Sequence, residues 1–515
     1  MEAADQLILP AEVIDGISSA ATVEELQASM AQAVSALVIW VLSCQTLTFF
    51  AFETQLVPQV LALGRLCLQL FLRMREAQWQ AAAPRTPPGY KRQGPIARQL
   101  GTFFGKVGYG RTYFYRSGGG SYPLDIKLGL PRDGFSLLLA SHAVRLATKV
   151  SYAQTVLILT LFLHWSPAQE SLEGLVLGLG RHTTAWFEHA PAPQGDGEVL
   201  VIQVDSKATP TATAAELAQR RGPRVANPHP GSPRHRGRAA RQCRGGKKRR
   251  QKGDKAKNGK MATIAVLYTL RKSADGTLEG PLNKRVYASY APKRHALAIA
   301  RREADKRGFT PQSGKRIQLV TDGDNDLERS IAELFPEAEH TMDVYHVVEY
   351  LWEAGECLYR EGSAELTEWV ETQKAALYAG RVAEIIAELT QRLKQLDAQP
   401  SSLRARLTKI QEYLTKRQAK MDYKRLREQD WEISSGAVEG AVRYVIAQRF
   451  DCGGMRWIKE RAEALLQLRC IEVNNDWQAF ITFVHDTTQT QAQAQHQNRP
   501  LKCAEPIPLP TYGLT

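Results

Sequence analysis

Closely spaced cysteines are missing from this chain of 515 residues. Its seven cysteines lie far apart and none stands in a Cys-x-x-Cys pair, so the sequence offers neither a zinc knuckle nor a disulfide framework. We therefore expect reduced thiols in a cytoplasmic setting. The N-terminal stretch also lacks a basic start followed by an apolar run, so we expect no signal peptide.

Acidic residues are almost missing from one segment. Residues 220–260 contain 16 Lys or Arg and a single Asp, whereas the rest of the chain is nearly neutral, although the whole carries a formal charge of +14. Such a concentration favours a dedicated contact with a polyanion over general solubility. The candidate DNA-binding residues in this basic segment are Arg234, Arg236, Arg238, Lys247, Lys248, Arg249 and Arg250.

One apolar run admits two interpretations. The stretch VSALVIWVLSCQTLTFFAF (34–52) is almost long enough to span a bilayer. It contains Ser, Thr and Gln and lacks strong basic flanks. We therefore expect a buried helix rather than a membrane span, and no membrane among the partners.

The first part of the chain is predicted to be mainly helical. Residues 1–80 have apolar residues on most helical faces, which is typical of packing on another domain or on a second copy. A linker is predicted over 81–95, a hairpin with a glycine turn over 105–125, and helices over 134–189. One of these helices is predicted to begin at Ser166 as N-cap, with Pro167 at its first position.

Two readings of this helical region stay open. A short turn between helices could form a helix-turn-helix, with Arg181, His182 and Thr183 near DNA. The alternative is an ordinary packed helix pair.

The second part of the chain predicts an α/β sheet. Apolar strands are expected at 198–208, 261–271, 284–291 and in RIQLVTDG, with a helix over 291–308 and a strand running into a helix over 338–352. Residues 350–428 are then almost wholly helical, with apolar residues every three or four positions. Within the stretch 432–450, a further helix is predicted to begin after a cap at Ser434 or Ser435.

Three acids stand out against this pattern. Asp205 is predicted to end the first strand and Asp322 the fourth, and Glu439 lies among apolar neighbours on a helix. A carboxylate on a packed helix is costly unless it is paired or metal-bound. Carboxylates are the ligands of Mg²⁺, and two ions can clamp the attacking and leaving oxygens at phosphorus. The basic segment narrows the substrate to a polynucleotide.

Alternatives to this site remain. Asp205 and Asp322 could serve turns or caps. Glu439 could pair with Arg443 at i+4. Glu432, Asp324 and Asp326 could replace the chosen acids, although Asp324 or Asp326 is also expected to start the next helix.

An ordered series of motifs resembles one family. Over about residues 120–480 the chain is similar to ISKra-type bacterial insertion-sequence transposases, which are related in layout to the Mutator-like group. The matching stretches are PLDIKLGLP (123–131), VDSK (204–207), GKMATIAVLYT (259–269), VTDGD (320–324), MDVYHVVEYLW (342–352), SSGAVEGAVRYVIAQRF (434–450) and GMRWIKERAEALLQLR (454–469).

The resemblance implies the fold and the chemistry. It implies an α/β RNase H-like catalytic core with an all-α insertion, plus a mainly helical N-terminal region for DNA binding or oligomerisation. Asp205, Asp322 and Glu439 would be the catalytic and metal-binding DDE triad, holding Mg²⁺ or Mn²⁺, as two ions. Asp343 and His346 match the family's Cys-or-Asp, two residues, His motif and would support the site.

The implied partners are transposon-end DNA with inverted repeats, target DNA and a second copy of the chain, in the cytoplasm of a bacterium at the nucleoid. The hairpin stretch FYRSGGGSY departs from the family, because relatives often carry cysteine pairs near it. Rival classes are an RNase H-like nuclease without strand transfer and a transposase-derived DNA-binding regulator. The expected regions are 1–85 (helical), 86–195 (hairpin and helices, DNA-binding), 196–349 (core, first part), 350–430 (helical insertion), 431–482 (core, second part) and 483–515 (mobile tail).

Overall fold

The chain divides into two compact units. A computed structural model describes residues 21–82, 85–117, 119–213, 259–395, 401–452 and 455–498. The first unit takes residues 1–186 and 475–509, and the second takes 187–474 and 510–515. The basic segment from 220 to 258, with all seven candidate DNA-binding residues, lies outside the described residues.

Two long helices open the first unit. Helix α1 (Val23–Ser43) begins at a capping box, in which Thr22 and Glu25 exchange backbone and side-chain hydrogen bonds. Helix α2 (Phe49–Ala81) follows after a break. The apolar run 34–52 is therefore not one buried helix as predicted. It spans two helices and exposes a series of large apolar side chains: Val34, Val38, Ile39, Val41, Leu42, Phe49 and Phe50.

Both helices are long and apolar enough to cross a membrane by length and composition. The same features occur in core helices and in signal sequences, so they leave the location of the protein undetermined. Helix α2 is also anchored to a strand, because the buried Glu76 carboxylate accepts from the Thr112 amide at 2.9 Å.

A three-stranded antiparallel sheet follows. It consists of β1 (Lys91–Thr102), β2 (Gly105–Arg116) and β3 (Gly119–Ser121). The predicted linker 81–95 is therefore too long, because Lys91 already pairs with Tyr115. The pairing of β2 with β3 agrees with the expected glycine hairpin.

The acid of the PLD motif lies in the short helix α3 (Pro123–Lys127). The Asp125 carboxylate is buried and accepts from Arg98 at 2.8 Å and from the Tyr109 hydroxyl at 2.9 Å. Arg111 forms an ion pair with the same carboxylate. Asp125 therefore ties α3 to β1 and β2.

The remaining elements of the first unit are helical: α4 (Leu137–Lys149), α5 (Tyr152–Leu163), α6 (Gln169–Gly180), α7 (Thr183–His189, which reaches into the second unit) and α18 (Trp477–Asn498). Helix α6 begins after Ala168, so Ser166 is not its N-cap as predicted. The Thr183 side chain is buried and donates to the Gly180 carbonyl, which favours the ordinary helix pair at that residue. Residues 483–498 are helical, and the rest of the expected mobile tail lies outside the described residues.

A mixed five-stranded sheet forms the centre of the second unit. Its strands are β4 (Val199–Pro210), β5 (Gly259–Lys272), β6 (Leu278–Ser289), β7 (Arg316–Thr321) and β8 (Glu339–Met342), in the order β6-β5-β4-β7-β8. Strands β4, β5 and β6 are antiparallel, whereas β7 runs parallel to β4 and β8 runs parallel to β7. Helices α8 (Lys293–Lys306) and α9 (Asn325–Leu334) pack on it.

A helical region then interrupts the sheet domain. It contains α10 (Val344–Leu358), α11 (Ala364–Tyr378), α12 (Val382–Gln395), α13 (Ser401–Arg417) and α14 (Tyr423–Glu428). The predicted apolar repeats are buried in one core, including Ile385, Leu389, Leu407, Ile410 and Leu414. The long helical stretch expected before Glu439 is thus present.

The chain returns to the sheet through a short helix. Helix α15 (Gly436–Ala441) continues into a π-helical stretch (Val442–Ala447), and α16 (Gln448–Phe450) and α17 (Lys459–Val473) follow. The helix predicted to follow Ser434 or Ser435 is therefore present from Gly436 to Phe450, with a π-helical stretch in its middle. Ser435 is at the N-cap position as expected, although its hydroxyl does not cap the backbone.

Candidate functional site

Asp205 and Asp322 lie at the same level on neighbouring strands. The parallel pairing of β4 with β7 ends at Val204 and Thr321; Asp205 is the next residue of β4, and Asp322 is the first residue after β7. Neighbouring strands are about 4.8 Å apart, so the two backbones are close there. The sheet therefore brings two of the three predicted acids together.

The expectation that Asp205 ends its strand is wrong. Strand β4 continues to Pro210, and Asp205 pairs with Ile264 of β5. The physical reason is that β5 remains hydrogen-bonded to β4 after β7 has turned away. The backbone of Asp205 is therefore paired with β5 on one side, whereas on the other side its pairing with β7 has already ended.

The turn after β7 is formed by its own acids. The Asp324 amide donates to Asp322 Oδ1 at 3.0 Å, and Asp324 in turn caps α9 by accepting from the amides of Asp326 and Leu327. The cap is therefore Asp324, one of the two expected candidates, and not Asp326. Gly323 has a φ of +82°, a left-handed conformation that favours glycine.

The segment that leads to Glu439 is tied to both acid-bearing strands by buried glutamines. The Gln203 side chain of β4 donates to the Ser434 carbonyl and accepts from the Val438 amide, each at 3.0 Å. The Gln318 side chain of β7 donates to the Glu432 carbonyl at 2.6 Å and accepts from the Glu432 amide at 3.0 Å. These bonds fix the start of α15 against the sheet.

Glu439 lies on the first turn of α15. Its carboxylate accepts a hydrogen bond from the Ser435 hydroxyl at 3.0 Å. The alternative acid Glu432 instead bonds to Tyr268, and burial raises the pKa of Glu432. Of these two glutamates, only Glu439 has an electrostatic effect on Asp205.

Asp343 and His346 form a pair at the start of α10. Asp343 is completely buried and caps the helix, and its carboxylate lies 2.7 Å from His346 Nδ1. It also accepts from the Ser435 amide at 3.1 Å. Asp343 therefore combines a helix cap with a hydrogen bond to Ser435, whose hydroxyl contacts Glu439.

The charges of this pair follow from the geometry. The hydrogen bond that His346 donates to the Asp343 carboxylate is the largest cause that raises the pKa of His346 to about 9; burial opposes it, and the negative charges of Asp343 and Asp322 add to it. Burial works to raise the pKa of Asp343, but the hydrogen bonds from His346 and Ser435 outweigh it and lower that pKa. At neutral pH the imidazole is therefore cationic and the carboxylate anionic.

Electrostatic coupling joins these groups into one site. Burial raises the pKa of Asp205, and the negative charges of Asp322 and Glu439 add to this effect, while the positive charge of His346 opposes it. Asp205 and the two acids that act on it are three carboxylates, the ligand type that a hard divalent cation prefers. Across the described residues, however, no group of three or more His, Cys, Asp or Glu is arranged closely enough to hold a metal ion.

The sequence interpretation missed the two glutamines. A signal was present, since Gln203 and Gln318 are single polar residues inside the apolar runs VLVIQV and RIQLV. A buried amide must find hydrogen-bond partners. The backbone partners in residues 432–438 lie more than a hundred residues away along the chain. The sequence pattern could therefore indicate that the two amides need partners, but it could not identify them.

Comparison with known proteins gives no match, either to a family model or to a curated protein.

Proposed function

We propose that the chain is a DNA transposase of the DDE type with an RNase H-like core. It would hydrolyse the phosphodiester bond at the ends of a mobile element, and the freed 3′-hydroxyl would attack a phosphodiester of target DNA, joining the element end to a target 5′-phosphate and releasing a target 3′-hydroxyl. The observation that carries this proposal is the placement of Asp205 and Asp322 side by side where the pairing of β4 with β7 ends, together with the negative charge of Glu439 acting on Asp205. The order of elements also supports it: three strands, a helix, a strand, a helix, a strand and a helical region precede Glu439.

The three carboxylates would hold Mg²⁺ or Mn²⁺, in a two-ion arrangement. When bound, such ions supply a water of lowered pKa and stabilise charge on the attacking and leaving oxygens. The chain itself contributes the rigid support. Gln203 and Gln318 keep the backbone before Glu439 at a fixed place relative to the strands that carry Asp205 and Asp322.

His346 would act on the nucleic acid. Its imidazolium is about one-third exposed, and it is held by Asp343 at 2.7 Å. A charged imidazole beside carboxylates can donate a hydrogen bond to a phosphate oxygen. The pair would therefore position the scissile strand and balance part of the negative charge.

The basic segment 220–260 would bind DNA through its phosphates. The N-terminal region, residues 1–190, would recognise inverted repeats, and a second copy of the chain would pair the two ends. This function places the protein at the nucleoid in the bacterial cytoplasm. All of these roles follow from the proposed reaction.

The test is strand cleavage and joining on a labelled duplex that carries the flanking ends of the gene. Wild type should give joined products with Mg²⁺ or Mn²⁺ and none with a chelator. Asp322→Asn keeps the size of the side chain but removes its charge, so it should lose at least a hundredfold in rate. The matched control is Asp326→Asn in the first turn of α9, where the exposed carboxylate lies 3.5 Å from the Arg329 guanidinium; this change should leave the rate nearly unchanged.

The products separate the rival functions. Metal-dependent cutting without joining would favour a nuclease. Tight binding without metal-dependent chemistry would favour a DNA-binding regulator, and the transposase proposal would then be wrong. Equal losses of rate in the Asp322 and Asp326 variants would show that the effect is not specific to Asp322, which would then no longer be assigned to the site.

A further inference from the structure

Charge is unevenly distributed among the helices before Glu439. Residues 401–428, which form α13 and α14, contain nine Lys or Arg and three Asp or Glu. The helices that precede them are different, since residues 344–395 contain more acids than bases. One end of the helical region is therefore basic, separately from the segment 220–260.

The basic end has a surplus of positive charge that its acids do not neutralise. Arg417, Lys420 and Lys416 all contact the one carboxylate of Glu328, at 2.8, 2.6 and 3.4 Å. Arg417 is buried, whereas Lys416 and Lys420 have 58% and 30% of their side chains exposed. Three cations therefore share one carboxylate, and two of them, Lys416 and Lys420, are exposed at the surface.

The pKa of the neighbouring His340 is affected by these positive charges. Burial, together with the positive charges of Lys420 and Arg417, lowers the pKa of His340 to about 3, while the charge of Glu328 opposes them.

The same cluster contacts the turn that carries Asp322. The Tyr413 hydroxyl of α13 donates to the Asp322 carbonyl at 2.8 Å. The Arg417 guanidinium donates to the Gly323 carbonyl, and Lys416 donates to the Asn325 side chain. The C-terminal end of α13 is therefore fixed directly beside one of the three acids.

We propose that Lys416 and Lys420 form a second nucleic-acid contact, which binds backbone phosphates of the strand that passes Asp322. This inference rests on the proposed function and adds a substrate contact to the same site. Exposed ammonium groups on long side chains suit phosphate as point charges. Because they are held next to the Asp322 turn, the two lysines would direct the strand toward the acids. Positive charge without a fixed position would attract the strand but would not align it.

The experiment compares two double variants of the full chain. Lys416→Gln/Lys420→Gln removes both surface charges and leaves Arg417 paired with Glu328, so the buried carboxylate keeps a partner. The matched control, Lys374→Gln/Lys394→Gln, removes two accessible lysines from α11 and α12. Binding of a labelled DNA duplex is measured at several salt concentrations.

The expected result is a smaller salt dependence in the test variant only. Each phosphate contact contributes roughly 0.9 to the slope of log affinity against log salt, so the slope should decrease by about 1 to 2. Bound duplex should also protect Lys416 and Lys420 of the wild-type protein from an amine-reactive reagent, and leave Lys394 reactive. The protection assay gives the answer even if the double variant fails to fold.

Two outcomes would overturn the inference. One is an unchanged slope in a folded test variant, and the other is full reactivity of both lysines in saturating duplex. The result is separate from that of the cleavage assay. A reduced slope with no metal-dependent cleavage would leave this contact in place and remove the transposase reaction, whereas cleavage with an unchanged slope would do the reverse.

Discussion

Asp343 illustrates how one buried side chain can serve several neighbours. Its carboxylate caps α10 through the amides of Tyr345 and His346, accepts from the Ser435 amide and pairs with the His346 ring. A buried carboxylate is tolerated only when its oxygens are satisfied in this way. The helix cap and the contact within the site are therefore two consequences of the same arrangement.

We predict that Asp343→Asn lowers the pKa of His346 from about 9 toward the ordinary value of about 6.5, because the hydrogen bond and the negative charge are its main cause. The measurement is an NMR titration of the histidine ring signals, with His346→Gln used to assign the resonance. A pKa that remains near 9 in Asp343→Asn would show that another group holds the proton.

The same pair predicts a pH dependence of stability. The folded pKa of His346 is raised, so its contribution is complete below about pH 6.5 and is lost as the pH rises toward 9. The folded pKa of Asp343 is lowered, so its contribution is present above its ordinary value and is lost as the pH falls. The free energy of unfolding should therefore decrease between pH 6.5 and 9 more in wild type than in His346→Gln.

At the scale of elements, the connection between the helical region and α15 determines where Glu439 lies. Residues 432–438 cross the sheet without secondary structure of their own until Gly436, so their backbone groups need partners from elsewhere. The two buried glutamines and the Val344 amide supply them, the latter by donating to the Ile433 carbonyl at 2.9 Å. Side-chain hydrogen bonds, rather than strand pairing, therefore hold the segment that leads to Glu439 against the sheet.

We predict that Gln318→Leu lowers the free energy of unfolding by about 2–4 kcal/mol, because it leaves the amide and carbonyl of Glu432 buried without partners. Urea denaturation measures the change. The matched control is Gln312→Leu, an exposed glutamine before β7, which should change stability by less than about 0.5 kcal/mol. Equal effects at both positions would mean that the buried bonds contribute little.

At the scale of the whole molecule, positive charge is concentrated in residues 220–260, whereas the rest of the chain is nearly neutral. Most of this segment lies between β4 and β5, which pair directly with each other. Under the proposed function, attraction of DNA by the segment and chemistry at the acids would be separable properties.

We predict that replacing residues 221–257 by a Gly-Ser linker of equal length weakens duplex binding and makes it less sensitive to salt. The replacement removes 14 of the 16 basic residues of the segment, and each lost phosphate contact should reduce the salt slope by roughly 0.9. Binding isotherms at several salt concentrations check this. Cleavage at low salt and saturating duplex should persist, and an unchanged affinity would exclude the segment as the main DNA contact.

Several features of the fold were readable from local patterns. The periodic apolar residues of the helical region indicated its buried core, which the structure confirms at Ile385, Leu389 and Leu407. The strand ending at Thr321 and the capping role of Asp324 were likewise local, because capping depends on residues two or three positions away. By contrast, the run 34–52 was misjudged, because hydropathy does not reveal whether a partner covers an apolar helix.

By itself, the sequence indicated most strands and helices of the second unit, determined the concentration of positive charge and suggested the three candidate acids. Only the tertiary structure decided that Asp205 lies inside a strand, that Glu439 reaches the site through Gln203 and Gln318, and that Lys416 and Lys420 lie beside the Asp322 turn. The reason is physical. Periodicity and capping act over a few residues, whereas buried hydrogen bonds and electrostatic coupling depend on groups that only folding brings together.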